Sequence, residues 1–268
     1  MRLLLATALV TFSLAAFGDT VVDTMDSRGE ISRISIKGDW ARFEGTDGGK
    51  DGYMLVELKG ARFFAIAPAE RTIIEFSAQR EKKKSEQQKV EAELKEAGDG
   101  PEVAGYATRK YEWTANGESC GSILLSRQAA GIGDIGRLLA ALGGLNPDTF
   151  IPEEMRQGFR AHRDPCETAR IQLGDEKISK LGFPMKILDP KGKTINEVVS
   201  IDTRPKLDGK LFELPEDYSR TTVKEMMEGM RKEMESARDK IEQMMKDMSP
   251  EERAQMQQMM KQFGNMPK

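Results

Sequence analysis

Eleven of the sixteen methionines fall between Met226 and Met266. A thioether is a soft donor suited to Cu(I). It is also flexible and polarizable, so a Met-lined surface moulds itself to many partners. The spacing limits both chemistries. Met227, Met230, Met234, Ala237, Ile241, Met244 and Met248 alternate steps of three and four, which makes a heptad seam along one helix face. Met256, Met259, Met260 and Phe263 form a second stripe. A long seam spreads its sulfurs out, whereas a metal site needs several converging on one point. Three readings stand for this tail: helices packing on themselves or on their own domain, a surface for a protein client or lipid, and a soft-metal store. The partner-binding candidates are Met227, Met230, Met234, Met244, Met248, Met256 and Met260.

The other reactive side chains are few. Cys120 and Cys166 are the only cysteines and His162 is the only histidine. Two thiols and one imidazole do not complete a zinc ligand set. No nucleophile elbow, zincin or P-loop motif is present. Gly131-Ile132-Gly133 lacks a glycine at the dinucleotide spacing, and Asp134 would repel a pyrophosphate. The chain is expected to be no enzyme and to need no cofactor.

Compartment decides what the cysteines do. Met1-Arg2 precedes an apolar run from Leu3 to Phe17, with Ala16 and Gly18 at its end. This reads as a signal peptide over residues 1–18, cleaved near Gly18. The run is short for a membrane span, and no basic stop-transfer cluster follows. The mature chain is therefore expected to be exported, periplasmic and without a membrane span. An oxidising compartment permits the single pairing Cys120–Cys166. Its loop closure is worth about 3–4 kcal/mol in the chain-entropy model. Net charge is −3, so there is no broad basic field to attract nucleic acid.

The elements that must position these groups follow from period. From Thr20 to Ser77 apolar and polar residues alternate between Gly/Asp turns, which predicts an antiparallel meander with one apolar and one wet face. Gln79–Ala97 is rich in Glu, Lys and Ala and stops at Gly98, which predicts a solvated helical insertion over 78–97. Strands resume at Val103–Thr114 and Gly121–Arg127. Asp134 then caps a helix carrying Ile135, Leu138, Leu139 and Leu142, and Pro152 opens another with Met155 and Phe159. These helices, over 133–161, are expected to cover the sheet. Asp164–Gly182 fits strand or helix equally. Phe183–Leu188 and Thr194–Asp202 read as a hairpin. After residue 219, Thr222 and Glu225 form a capping box, and Ser249-Pro250-Glu251-Glu252 starts a second helix. The tail over 220–268 is thus an amphipathic helix pair, and an oligomer through it is open.

Arg62–Phe76, Ala104-Gly105-Tyr106 with Arg109-Lys110-Tyr111, Gly182-Phe183-Pro184 and Leu211–Pro215 resemble an uncharacterised exported family, a domain-of-unknown-function group. That group is similar to the periplasmic lipoprotein-carrier (LolA-like) superfold. The resemblance spans about Thr20 to Tyr218. It implies an α+β domain over 19–219, a curved antiparallel half-barrel covered by helices. It also implies an apolar ligand, a lipid or acyl chain, in the hollow. Phe64, Trp113, Leu138, Leu139, Leu142 and Phe159 are the expected lining. The alternative is an envelope-stress chaperone or interaction role carried by the tail, with copper binding there as a third reading.

Overall fold

The structure, a computed structural model, describes residues 18–77, 90–143 and 163–247. The chain divides into two compact units, Met1–Arg220 and Thr221–Lys268.

Two meanders build the first unit. The first runs β1 (Thr20–Asp26), β2 (Ile31–Lys37), β3 (Trp40–Glu44), β4 (Tyr53–Glu57), β5 (Arg62–Ala67) and β6 (Thr72–Ser77). The second runs β7 (Ala92–Val103), β8 (Tyr106–Ala115), β9 (Glu118–Ser126), β10 (Phe183–Leu188) and β11 (Thr194–Asp202). Pairing of β1 with β11 (Val21 opposite Asp202) fuses them into one open sheet. With β12 (Ser219–Thr222) outside β6, the sheet has twelve strands. Each pairing from β6 across to β7 is antiparallel. The sheet is curved, and β7 returns to touch β11 although three strands separate them in the order.

The described helices of this unit lie in one connection, between β9 and β10: α1 (Arg127–Ala130), α2 (Ile135–Leu142) and α3 (Pro165–Leu181). An α+β architecture with a curved sheet and covering helices agrees with expectation. The single apolar face does not. One face carries the largest core, where Val22, Ile36, Val56, Phe63, Leu124 and Met185 meet Ile135 and Leu138 of α2. The other face carries two more cores. Tyr111, Trp113, Ile123 and Leu125 pack against Ala169, Leu173 and Ile178 of α3. Leu55, Phe64, Ile66 and Ile73 are covered by Phe212, Leu207 and Leu214 of the segment that follows β11. Strict alternation fails where both faces are buried: β9 is buried continuously from Cys120 to Ser126.

The helical insertion is corrected as well. Ala92–Ala97 belong to β7, and residues 78–89 lie outside the described residues. Glu and Lys favour helices, but they also suit an exposed edge strand. A tight turn with Ala104 and Gly105 both at positive φ starts the ladder. Arg109 then pairs with Glu96 and Asp99 across it, and Leu94 stands opposite Trp113. Strand pairing therefore decides the segment over local propensity.

Asp134 does stand at the N-cap of α2, but its carboxylate makes no cap bond. It accepts instead from Arg137, which also reaches the Gly38 carbonyl and Asp39. The open case, Asp164–Gly182, is helix α3. Asp164 accepts the Cys166 N–H at 2.7 Å, and Pro165 takes the first position. The 183–202 hairpin forms as read.

In the second unit, α4 (Val223–Asp247) starts with the expected capping box. Glu225 accepts the Thr222 N–H at 2.8 Å, and Thr222 Oγ1 accepts the Glu225 N–H at 3.2 Å. Glu228 pairs back to Lys224 instead of forward to Lys232. The helix expected from Ser249 lies outside the described residues, as do residues 1–17.

Candidate binding site under helix α3

The expected lining does not converge. Leu138 is buried beneath α2, with Leu139 and Leu142 half-buried in the same core. Phe64 points to the opposite face, packed on Trp40 at a ring distance of 6.0 Å. Trp113 belongs to the third core, under α3. Phe159 lies outside the described residues. The side chains grouped as one hollow are thus divided among three cores.

A cavity does exist, but it lies under α3. It has a volume of about 130 Å³ and is lined by Leu94 of β7, Trp113 of β8, Ile123 of β9, Pro184 and Ile187 of β10, and Arg170, Leu173 and Ile178 of α3. Two backbone irregularities shape it. Gly174 breaks α3 at φ 62° and ψ 141°, a conformation that a side chain resists. This break lies between Leu173 and Ile178 and resets the phase of the helix. On β10 the register slips between Pro184 and Lys186. The extra residue, Met185, faces the α2 core, so Pro184 and Ile187 can both face α3.

Polar groups at the cavity are few and distinctive. The indole Nε1–H of Trp113 is buried with no hydrogen-bond partner among the described residues. Leaving a buried donor unpaired costs about 1–3 kcal/mol, so such groups are rare in folded proteins. Arg170 is the only charged residue of the lining, and it is exposed. It forms no ion pair among the described residues. An apolar body with one N–H and one guanidinium is equipped to hold and orient an amphiphile. Nothing in that lining is suited to proton transfer.

Beside the cavity, Cys120 of β9 and Cys166 at the start of α3 form the expected disulfide, with Cα atoms 5.4 Å apart. It ties α3 to the sheet one helical turn before Arg170. A disulfide fits an oxidising compartment, and among the described residues no helix is long and apolar enough to cross a membrane.

Trp113 alone was among the sequence candidates for this cavity. A signal for the rest existed in part: Cys166, Ala169 and Leu173 recur at three and four. Ile178 and Leu181 are out of phase with them because of Gly174, so the stripe reads as no helix at all.

On α4, Met227 is half-buried, while Met226 and Met230 are 36% and 50% exposed. Met234 and Met244 also lie on this helix. Met248, Met256 and Met260 lie outside the described residues. No group of three or more His, Cys, Asp or Glu poised for a metal occurs among the described residues.

Comparison with known proteins gives distant likeness only. No family model matches the chain, and no curated protein matches it. Among solved structures, an uncharacterized conserved protein from Thermus thermophilus is similar at 10% identity and a TM-score of 0.39, over 77% of this chain and 91% of that one. MucB is similar at 11% identity and a TM-score of 0.27, over 75% of this chain and 59% of that one. Function must therefore be argued from the site itself.

Proposed function

We propose that this chain is an exported, non-enzymatic binding protein that takes a small, largely apolar ligand into the cavity between α3 and strands β7 to β10. The observation that carries this reading is a cavity of about 130 Å³ walled almost wholly by apolar side chains, beside a buried and unpaired indole N–H. An apolar cavity of comparable size, about 150 Å³, is known to stay dry and bind benzene. The ligand portion enclosed here is thus about six carbons, not a whole lipid. The disulfide holds the roof in place, which lowers the ordering cost of binding.

The test uses fluorescence and calorimetry. The chain has two tryptophans, and Trp40 lies in a different core from Trp113. In a Trp40→Phe variant, titration with 1-hexanol should give a saturable change in Trp113 emission. Leu94→Phe, which fills the cavity from the edge strand, should abolish it. A linear, non-saturating response in the parent, or an undiminished one in Leu94→Phe, rules the cavity out as the site.

The exposure of Met226 and Met230 supports a second reading, in which α4 contacts a protein partner. Removing residues 221–268 should then abolish suppression of client aggregation while the first unit stays folded. Equal activity of the truncated chain rejects it.

A further inference from the structure

We infer that the cavity under α3 selects a short aliphatic carboxylate, its chain among the apolar side chains and its headgroup between Trp113 and Arg170. This rests on the cavity being the ligand site.

The polar groups present point in one direction. Indole Nε1–H donates and cannot accept, and a guanidinium donates only. Trp113 and Arg170 thus offer donors alone, and both lack partners among the described residues. A ligand headgroup here must be an acceptor, and beside a cation an anionic one is favoured. An alkylammonium would bring donors to donors and positive to positive. Water is a poor occupant, because an ordered buried water needs two to four polar partners and the other walls of the cavity are hydrocarbon.

Arg170 also explains how charge is tolerated. Its side chain is exposed, so the carboxylate sits at the solvent edge of the cavity and is not stripped of water entirely. Only the chain is enclosed. Volume then sets its length. Each methylene entering the cavity should tighten binding about fourfold, until about six carbons fill it. Longer chains should gain nothing further.

Isothermal titration of the purified mature chain with hexanoate, 1-hexanol and hexylamine at pH 7 tests this. Hexanoate should bind at least tenfold more tightly than hexanol, and hexylamine should not bind. Arg170→Gln changes an exposed residue, and should reduce hexanoate to the hexanol level while leaving hexanol unchanged. Trp113→Phe keeps a ring but removes the N–H, and should weaken hexanoate about fivefold or more. Affinity should rise from butanoate to hexanoate and then level off. Equal binding of hexanoate and hexanol, or a hexanoate affinity indifferent to Arg170→Gln, overturns the carboxylate assignment while leaving the cavity as a site. Binding of none of the three overturns both.

Discussion

Leu124 and Leu125 are successive residues of β9, each 1% exposed, and they belong to different cores. Leu124 packs toward α2 and Leu125 toward α3. This strand is therefore covered on both faces. Truncating either leucine to alanine should cost about 2–5 kcal/mol, because each leaves a cavity in a packed layer. Urea unfolding of both variants measures this. A strand with one wet face would give one large loss and one below about 1 kcal/mol, and that result would contradict the three-core arrangement.

That pair also shows where sequence reading reached its limit. The strands of the first meander were legible because their alternation is clean and their turns carry Gly and Asp. The α2 stripe and the α4 capping box were legible for the same local reason. Cysteine pairing followed from there being only one pair. What stayed hidden depends on contacts distant in sequence. Phe63 and Phe64 are adjacent, and nothing local says which of them faces α2. Ala92–Ala97 have helix-forming composition, and only their pairing to β8 makes them a strand. The cavity escaped because its roof is a helix broken at Gly174 and its floor a strand shifted at Met185. Both irregularities scramble the periods on which such reading depends.

The disulfide closes a sequence separation of 46 residues, including the whole described helical layer of the first unit. In the chain-entropy model this contributes about 4 kcal/mol at 25 °C. Reduction, or Cys120→Ala with Cys166→Ala, should lower the Tm by roughly 10 °C. Calorimetry with a thiol assay on each sample provides the check. An unchanged Tm in fully reduced protein would mean that α3 is held by its apolar face alone. Ligand binding should weaken alongside, since the bridge anchors the roof of the cavity.

Acid should loosen the start of α4. Two bonds from Thr222, first from its backbone N–H and then from its hydroxyl, hold the Glu225 carboxyl below the usual glutamate range. A lowered folded value means that the ionised form is the one favoured by folding. Its stabilisation is complete above the unfolded glutamate value, about 4.3, and is lost as pH falls through the lowered folded one. Glu225→Gln should remove this pH dependence and keep part of the helix. NMR titration of the Glu225 carboxyl carbon, followed with the Thr222 amide, reads it directly. A Glu225 midpoint at or above the ordinary value would disprove the capping role.

Arg42 fastens the segment after β11 to the sheet. Its guanidinium lies 3.6 Å over the Tyr53 ring, donates to Glu44 at 2.7 Å and reaches the Leu211 carbonyl at 3.3 Å. The side chain is 9% exposed, and Glu44 is 16% exposed. Arg42→Met leaves that carboxylate without its bonded partner, which should cost about 2–3 kcal/mol after allowance for its partial exposure. Lysine keeps the charge but lacks the planar fork, so Arg42→Lys should recover less than half of the loss. Removing both charges, Arg42→Met with Glu44→Leu, should recover most of it, since no carboxylate is then stranded. The same single variant should expose Leu211-Phe212 to chymotrypsin, because Phe212 is buried only while this segment stays docked on Leu55 and Phe64. Urea midpoints rank the three variants, and the cleavage pattern locates the damage. If Arg42→Met and the double variant lose equal stability, the guanidinium acts through its packing on Tyr53 and not through its charge.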